Sequence, residues 1–155
     1  MLSGRCHQGK HSTEIYCSDA EQTLALGRRI GSVLKAGDVV ALYGELGAGK
    51  TTLTKGIAEA QGTPASEITS ASFTIIAEHE GRIPLYHVDL YRLSPEAAGE
   101  LGLEEYFQGQ GLVVIEWPER YTPYLPDERI DVNIRIVPEG RVFEIHSCRE
   151  LQLSE

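Results

Sequence analysis

The chain has 155 residues, 41% of them hydrophobic and 24% charged, values that are ordinary for globular proteins and exclude collagen-like, low-complexity and wholly disordered classes. Its 14 basic and 23 acidic residues give a net charge of −9, which disfavours direct binding to DNA or RNA. No apolar run approaches the ~20 residues that span a bilayer, and the first residues lack the apolar centre of a signal peptide, so we expect a cytoplasmic protein without membrane contact. The three cysteines are an odd number, which predicts reduced thiols rather than a disulfide framework.

The N-terminal region divides into a predicted tail and a predicted helix. Residues 1–12 have no periodic apolar pattern, which favours a mobile tail, and the length of the chain predicts that residues 13–155 form a single domain. Ser18 and Glu21 have the spacing of a capping box, and apolar residues then recur at the helical period. The pattern predicts a helix over about 19–35.

A strand, a glycine-rich loop and a helix follow in that order. Residues 38–43 are a short, continuous apolar run, typical of a strand that is covered on both faces of a parallel sheet. A helix is predicted over about 50–61, after which a glycine and a proline end it. Two β-rich segments, 73–80 and 83–90, are separated by a glycine-containing dipeptide and predict an antiparallel hairpin.

The C-terminal half adds a short helix and three strands. Ser94 is followed by a proline and a glutamate, a pattern that opens a helix. Residues 112–116 are a second buried apolar run, and strands are predicted at about 130–137 and 141–147. Strands that alternate with helices predict an α/β fold with a mixed, mostly parallel sheet flanked by helices.

The loop between the apolar strand and the second helix carries the clearest motif. Gly44-Glu-Leu-Gly-Ala-Gly-Lys-Thr51 matches the P-loop pattern G-x-x-x-x-G-K-[ST] at every fixed position, which predicts a P-loop NTPase-like fold. Backbone N–H groups of such a loop turn toward phosphate oxygens, and the helix N-terminus adds partial positive charge. We expect Lys50 to reach the β- and γ-phosphates and the Thr51 hydroxyl to ligate Mg²⁺. The guanine-reading motif N-K-x-D is absent, so ATP or ADP is the expected ligand.

Two acidic residues stand at the ends of buried strands, where ligands of open α/β sheets bind. Asp89 ends one apolar run and Glu116 ends another, so that one could enter the magnesium shell while the other orients the attacking water. His87 shares a face with Asp89 by the two-residue strand period and could touch the site, although a packing role is the more common one. Trp117 could stack in the cleft, but the sequence favours a core position.

Three further motifs follow the P-loop, namely Ser70-Ala-Ser-Phe-Thr74, His87-Val-Asp-Leu-Tyr-Arg92 and Ile115-Glu-Trp-Pro-Glu119. With the P-loop, in this order and in so short a chain, they resemble the bacterial TsaE family over about residues 15–137. The resemblance implies a small P-loop ATPase required for threonylcarbamoyladenosine modification of tRNA. It also implies two partner proteins, TsaB and TsaD, of which TsaD carries the transfer chemistry, so that tRNA would be contacted only through partners.

The resemblance also implies roles for individual residues. Lys50 and Thr51 would bind phosphate and magnesium, with Asp89 as a Walker-B-like acid and Glu116 as the residue that orients water. The expected catalytic residues are then Lys50, Asp89 and Glu116, and the expected magnesium ligands are Thr51, Asp89 and Glu116. The expected nucleotide-binding residues are Glu45, Leu46, Gly47, Ala48, Gly49, Lys50, Thr51, Thr52 and Ser72. Ser72 lies in a switch-like loop that reads Ser-Ala-Ser-Phe where the family usually reads Ser-Pro-Thr-Phe, so the loop loses a rigid φ.

Two other function classes are compatible with a P-loop. A small-molecule kinase normally carries several lid arginines, whereas no lysine follows Lys55 here and the later arginines are scattered. A nucleotide-binding scaffold without turnover would leave two well-placed acids idle. A slow ATPase that acts as a switch in a tRNA-modification complex is therefore the favoured hypothesis.

Overall fold

One mixed sheet organises the residues that the computed structural model describes, 11–69 and 75–153. Its strands are β1 His11–Cys17, β2 Val39–Tyr43, β3 Ile76–His79, β4 Leu85–Asp89, β5 Leu112–Glu116, β6 Ile130–Val137 and β7 Gly140–Ser147. They lie in the order β1-β7-β6-β2-β5-β4-β3. Strands β3 and β7 run opposite to the other five, because each pairs antiparallel with its neighbours while β4, β5, β2 and β6 pair parallel in turn. The predicted α/β fold with a mostly parallel sheet is confirmed.

Helices cover both faces of this sheet. They are α1 Ala20–Val33, α2 Lys50–Ala60, α3 Pro95–Gly99 and α4 Glu104–Phe107, with 3-10 turns at Ala65–Glu67 and Pro118–Tyr124. Alternate residues of β2 face opposite layers: Val40 and Leu42 pack in the cluster that holds α1 and α2, and Val39 packs with α3 and the second 3-10 turn. The continuous apolar runs of β2 and β5 follow from this double coverage.

Two glycines set the close approach of α1 and α2. A Cβ added at Gly27 would lie 2.4 Å from the Leu53 carbonyl oxygen, and one added at Gly56 would lie 2.3 Å from the Leu24 carbonyl oxygen. Because neither distance accommodates a side chain, the two helix backbones can touch only where both residues are glycine. The contact fixes α2, whose first turn carries the P-loop lysine.

The N-terminal elements differ from the prediction in two respects. His11 and Ser12 belong to β1, an edge strand paired with β7, so the predicted tail is wrong at these residues, and residues 1–10 lie outside the described chain. The cap of α1 is one residue later than predicted, since the Asp19 side chain accepts from the Gln22 backbone N–H at 2.9 Å. The sequence pattern did not predict β1 because most of its residues are exposed. A strand at the edge of a sheet needs little alternation of apolar and polar residues.

The remaining predicted elements are present, β5 and β6 with the predicted bounds, β7 one residue longer, and the others shorter. The hairpin consists of β3 and β4, and the first two residues of its predicted first segment, 73 and 74, lie outside the described chain. The Ser94 hydroxyl caps α3 as predicted, accepting from the Ala97 N–H at 3.1 Å, whereas α4 was not predicted. Cys17 is a buried free thiol but Cys148 is disulfide-bonded, so the prediction of three reduced thiols is wrong. Among the described helices, none is long and apolar enough to cross a membrane.

Candidate functional site

The glycine-rich loop joins the end of β2 to the first turn of α2. Gly47 and Gly49 adopt φ values of 80° and 110°, a region in which glycine carries no Cβ penalty. Gly49 occupies the N-cap of α2 and supplies no side-chain cap, so no side chain competes for the first N–H groups of the helix. The local sequence thus forms a loop with the backbone geometry that the predicted P-loop requires.

Lys50, the first residue of α2, has its ammonium buried inside this loop. The residue is 5% exposed, and its Nζ donates a hydrogen bond to the Gly44 carbonyl oxygen. The same nitrogen lies 3.5 Å from the centroid of the Trp117 ring, a cation–π contact. Burial lowers the pKa of Lys50, while the nearby carboxylates of Glu116, Glu119 and Asp89 act in the opposite direction.

The two predicted acids lie side by side on neighbouring strands. In the parallel register of β4 and β5, Asp89 pairs with Glu116, and both are buried. The Asp89 carboxylate accepts from the Tyr91 backbone N–H at 3.0 Å. Glu116 Oε2 accepts from the Thr51 hydroxyl at 3.4 Å. The register of β4 and β5 therefore brings the two acids together, and the first turn of α2 adds Thr51 beside Glu116.

His87 contacts Glu116 directly. Its Nε2 lies 2.6 Å from Glu116 Oε2, and the two side chains are 3% and 4% exposed. His87 is buried and hydrogen-bonded, as the packing role favoured from the sequence predicts, and its partner is a residue of the predicted site. The two-residue period correctly assigned His87 to the face of Asp89, but its partner became visible only with the register between β4 and β5.

A cleft of about 470 Å³ opens above the loop and the two acids. Eight of the predicted site residues line it: Leu46, Gly47, Gly49, Lys50, Thr51, Thr52, Asp89 and Glu116. Ala48 is buried and, like Glu45, does not line this cleft, while Ser72 lies outside the described residues. Tyr91, Arg92 and Trp117 complete the lining. Tyr91 and Arg92 were missed as individual site residues, although both stand in the motif that begins at His87.

Trp117 lines the cleft, contrary to the core position favoured from the sequence, although it also packs against the apolar cluster on one face of the sheet. Its backbone has φ 61°, and it is the one non-glycine residue with positive φ in the described chain. The ring stacks at a tilt on Tyr91, with centroids 4.9 Å apart. A bulky residue in this conformation is uncommon and marks a locally constrained turn at the edge of the cleft.

A second cleft of about 320 Å³ adjoins the first on the other side of the loop. The two share Gly47, Gly49 and Thr52. Side chains at the start of α1, including Asp19 and Thr23, line the second cleft together with Arg141 of β7. One guanidinium N–H of Arg141 donates to the Gly47 carbonyl oxygen at 3.1 Å, which ties β7 to the loop.

The oxygen donors at the site suit magnesium rather than a softer metal. No group of three or more His, Cys, Asp and Glu side chains that could hold a metal occurs within residues 11–69 and 75–153. Two carboxylates and one hydroxyl remain, and a magnesium ion bound by so few protein oxygens completes its shell with phosphate oxygens and water. The residues present therefore fit a magnesium–nucleotide ligand.

Comparisons with known proteins point to one family. A sequence profile described as "Threonylcarbamoyl adenosine biosynthesis protein TsaE" matches residues 17–142. A tRNA threonylcarbamoyladenosine biosynthesis protein TsaE from Nostoc sp. is 48% identical over 134 residues, which cover 83% of this chain and 81% of the relative. The corresponding protein from Bacillus subtilis is 46% identical over 116 residues, covering 74% and 72%. A crystal structure of Bacillus subtilis YdiB matches with a TM-score of 0.75 and 39% identity, covering 90% of this chain and 87% of that one.

Proposed function

Because the chain belongs to the TsaE family of threonylcarbamoyl adenosine biosynthesis proteins, we propose that it binds ATP with Mg²⁺ and slowly hydrolyses it to ADP and phosphate in support of tRNA modification. One observation carries the proposal: the buried ammonium of Lys50 shares a cleft with Thr51, Asp89 and Glu116 at the open N-terminus of α2. A buried cation beside free helix N–H groups is a binding site for a polyanion such as a triphosphate.

Phosphate binding is the first role of this cleft. The N–H groups of the loop and of the first turn of α2 would surround the phosphate oxygens, and Lys50 would contact the β- and γ-phosphates. The Lys50 ammonium contacts the Gly44 carbonyl oxygen and the Trp117 ring. Bound ATP would replace one or both contacts with charge-assisted hydrogen bonds, which are the stronger kind.

Hydrolysis would use the two acids. In the reaction the oxygen of water forms a bond to the γ-phosphorus, and the bond from that phosphorus to the β–γ bridging oxygen breaks. Glu116 would accept the proton of the attacking water, and ADP would leave with the bridging oxygen. Thr51 and Asp89 would hold the magnesium ion, which when bound neutralises phosphate charge. The pairing of Asp89 with Glu116 across β4 and β5 supports a shared site for the two acids.

The second cleft would receive the nucleoside. It adjoins the phosphate cleft at Gly47, Gly49 and Thr52, so a nucleotide could span both volumes around the loop. Asp19 and Arg141 offer polar groups there. The absence of the guanine-reading motif from the sequence supports adenine as the base.

Two partner proteins of the TsaB and TsaD type would complete the activity in the cytoplasm. The net charge of −9 disfavours a direct contact with tRNA and supports a contact made through partners. TsaD would carry out the transfer chemistry, and this chain would act as the nucleotide-dependent component. In this function the chain would contact neither DNA nor a membrane.

Phosphate release from ATP, measured with and without the two partner proteins, tests the proposal. We expect slow release that depends on Lys50 and increases in the complex. Transfer of the γ-phosphate to a small molecule would instead identify a kinase. ATP binding without phosphate release, alone and in the complex, would identify a scaffold and refute the ATPase proposal.

A further inference from the structure

His87 and Glu116 form a buried pair, of which Glu116 lines the cleft proposed to bind phosphate. We propose that His87 is a positioning residue, which holds the Glu116 carboxylate in the orientation needed to accept a proton from water. The inference rests on the proposed ATP hydrolysis and adds to it a residue outside the predicted catalytic set. Its starting point is the 2.6 Å contact between His87 Nε2 and Glu116 Oε2.

The two carboxylate oxygens of Glu116 differ in their hydrogen bonds. Both described side-chain contacts of the carboxylate, with His87 Nε2 and with Thr51 Oγ1, use Oε2. To accept a proton from water, the Glu116 carboxylate must be ionised and can then only accept hydrogen bonds, so the inference requires the His87 ring to donate through Nε2–H. This arrangement leaves Oε1 as the oxygen available to a water nucleophile.

The sheet makes the His87 ring a rigid support. His87 lies in the middle of β4, where it pairs in parallel register with Val114 of β5, two residues before Glu116. Because the His87 side chain is 3% exposed and does not line the cleft, water has little access to the position of its ring if the imidazole is removed. Glu116 would then keep only the Thr51 hydroxyl, at 3.4 Å, among its described side-chain donors. Its carboxylate would be drawn toward Thr51 and away from the water position.

Two substitutions separate positioning from packing. His87→Gln retains an N–H donor at a reach similar to that of Nε2, whereas His87→Leu keeps apolar volume and removes the donor. Leu85→Ala is the matched control, because Leu85 is fully buried on the same face of β4 and does not line the cleft. Each variant is measured for MgADP affinity by calorimetry and for phosphate release at saturating ATP, with the partner proteins present.

We expect His87→Leu to slow phosphate release by about 10- to 100-fold, the size of effect that a misplacement of about 1 Å produces, with MgADP affinity within about threefold of wild type. His87→Gln should recover most of the rate, and Leu85→Ala should lower thermal stability without changing the rate at saturation. Equal rates for wild type and His87→Leu would overturn the inference. So would a loss in His87→Gln as large as the loss in His87→Leu.

A measurement on the wild-type protein does not depend on turnover or on variant folding. The ¹⁵N chemical shifts of the His87 ring, recorded with MgADP bound, report which ring nitrogen carries a proton. A protonated Nε2 supports the inference, and an unprotonated Nε2 overturns it. If the wild type releases no phosphate even in the complex, the proposed ATPase function fails, which is distinct from a wild type that turns over and a His87→Leu variant that matches it.

Discussion

Charged residues at the two ends of the central sheet have different kinds of partner. At the end where β2 begins, Arg149 donates to the two carboxylate oxygens of Asp38 at 2.7 and 3.0 Å, and Arg129 donates to Asp131 at 2.9 Å. At the end where β2 meets the glycine loop, the Lys50 ammonium has a carbonyl oxygen and an aromatic ring as partners, with no salt bridge in the described chain.

We interpret the difference as one between charges that stabilise the fold and a charge that, in the proposed function, binds a ligand. A buried cation that forms no salt bridge costs folding free energy, which the nearby carboxylates of Glu116, Glu119 and Asp89 offset only in part for Lys50. The Asp38–Arg149 pair is complete within the protein and joins the C-terminal segment to the start of β2. Lys50 lies in a cleft that is large enough for phosphates, and its charge is available to a ligand.

The largest effect is expected from Glu116→Gln. Loss of the proton acceptor should slow phosphate release in the assembled complex by about 100-fold or more, in the range of general-base effects, while MgATP still binds. The matched control at the opposite end of the sheet is Asp38→Asn, which should leave the rate unchanged. Normal hydrolysis by Glu116→Gln would show that its catalytic role is wrong.

Lys50→Ala should abolish useful ATP affinity. It removes a charge-assisted contact to phosphate of the kind worth about 1.5–3 kcal/mol, or roughly 10- to 150-fold in affinity. Calorimetric titration measures the change. Lys35→Ala, which removes an exposed lysine beside the other end of the sheet, should bind ATP as the wild type does. Unchanged affinity in Lys50→Ala would refute the P-loop assignment.

Asp89→Asn should weaken nucleotide binding, whereas Glu116→Gln should slow hydrolysis. Because Asp89 is proposed to act through magnesium, its substitution should weaken nucleotide binding about tenfold when Mg²⁺ is present and little when the ion is chelated, a loss near 1.4 kcal/mol. Titrations with MgADP and with ADP plus EDTA measure the two affinities. An equal loss under both conditions would exclude a role in the magnesium shell.

A substitution at the opposite end of the sheet, where β2 begins, should lower the stability of the protein and leave ATP binding unchanged. Arg149→Leu removes two hydrogen bonds to Asp38, and because the arginine is partly exposed we expect a loss of about 1 kcal/mol in the free energy of unfolding. Denaturant titration measures it, with calorimetry for ATP affinity. A large loss of affinity without a loss of stability would contradict the separation between the two ends.

The smallest expected effect is a change in tryptophan fluorescence. Trp117 is the only tryptophan, and its ring lies over the Lys50 ammonium, so phosphate binding should change the local field at the ring. Intrinsic fluorescence should shift when MgATP or MgADP is added and saturate at the same ligand concentration as calorimetric binding. A constant emission with binding confirmed by calorimetry would mean that Lys50 keeps its contact with Trp117 in the complex.

Local sequence determined the element that forms the phosphate loop. The apolar run of β2, the glycines of the loop and the periodic pattern of α2 act within a few residues of one another, so their structure follows from short-range preferences. The motif order likewise predicted the TsaE family, which the comparisons confirm. The binding role of Ser72, the partners and the magnesium ligands stay predictions.

Only the tertiary structure decided which side chains meet at the cleft. His87 and Glu116 are 29 positions apart, and Thr51 and Glu116 are 65 apart, so their contacts depend on the parallel register of β4 and β5 and on where α2 packs. The same holds for β1, whose exposed sequence becomes a strand because β7 offers it an edge. Strand pairing joins segments that are far apart in the sequence, and it depends on the simultaneous burial of both faces of the sheet. No short stretch of sequence therefore determines it.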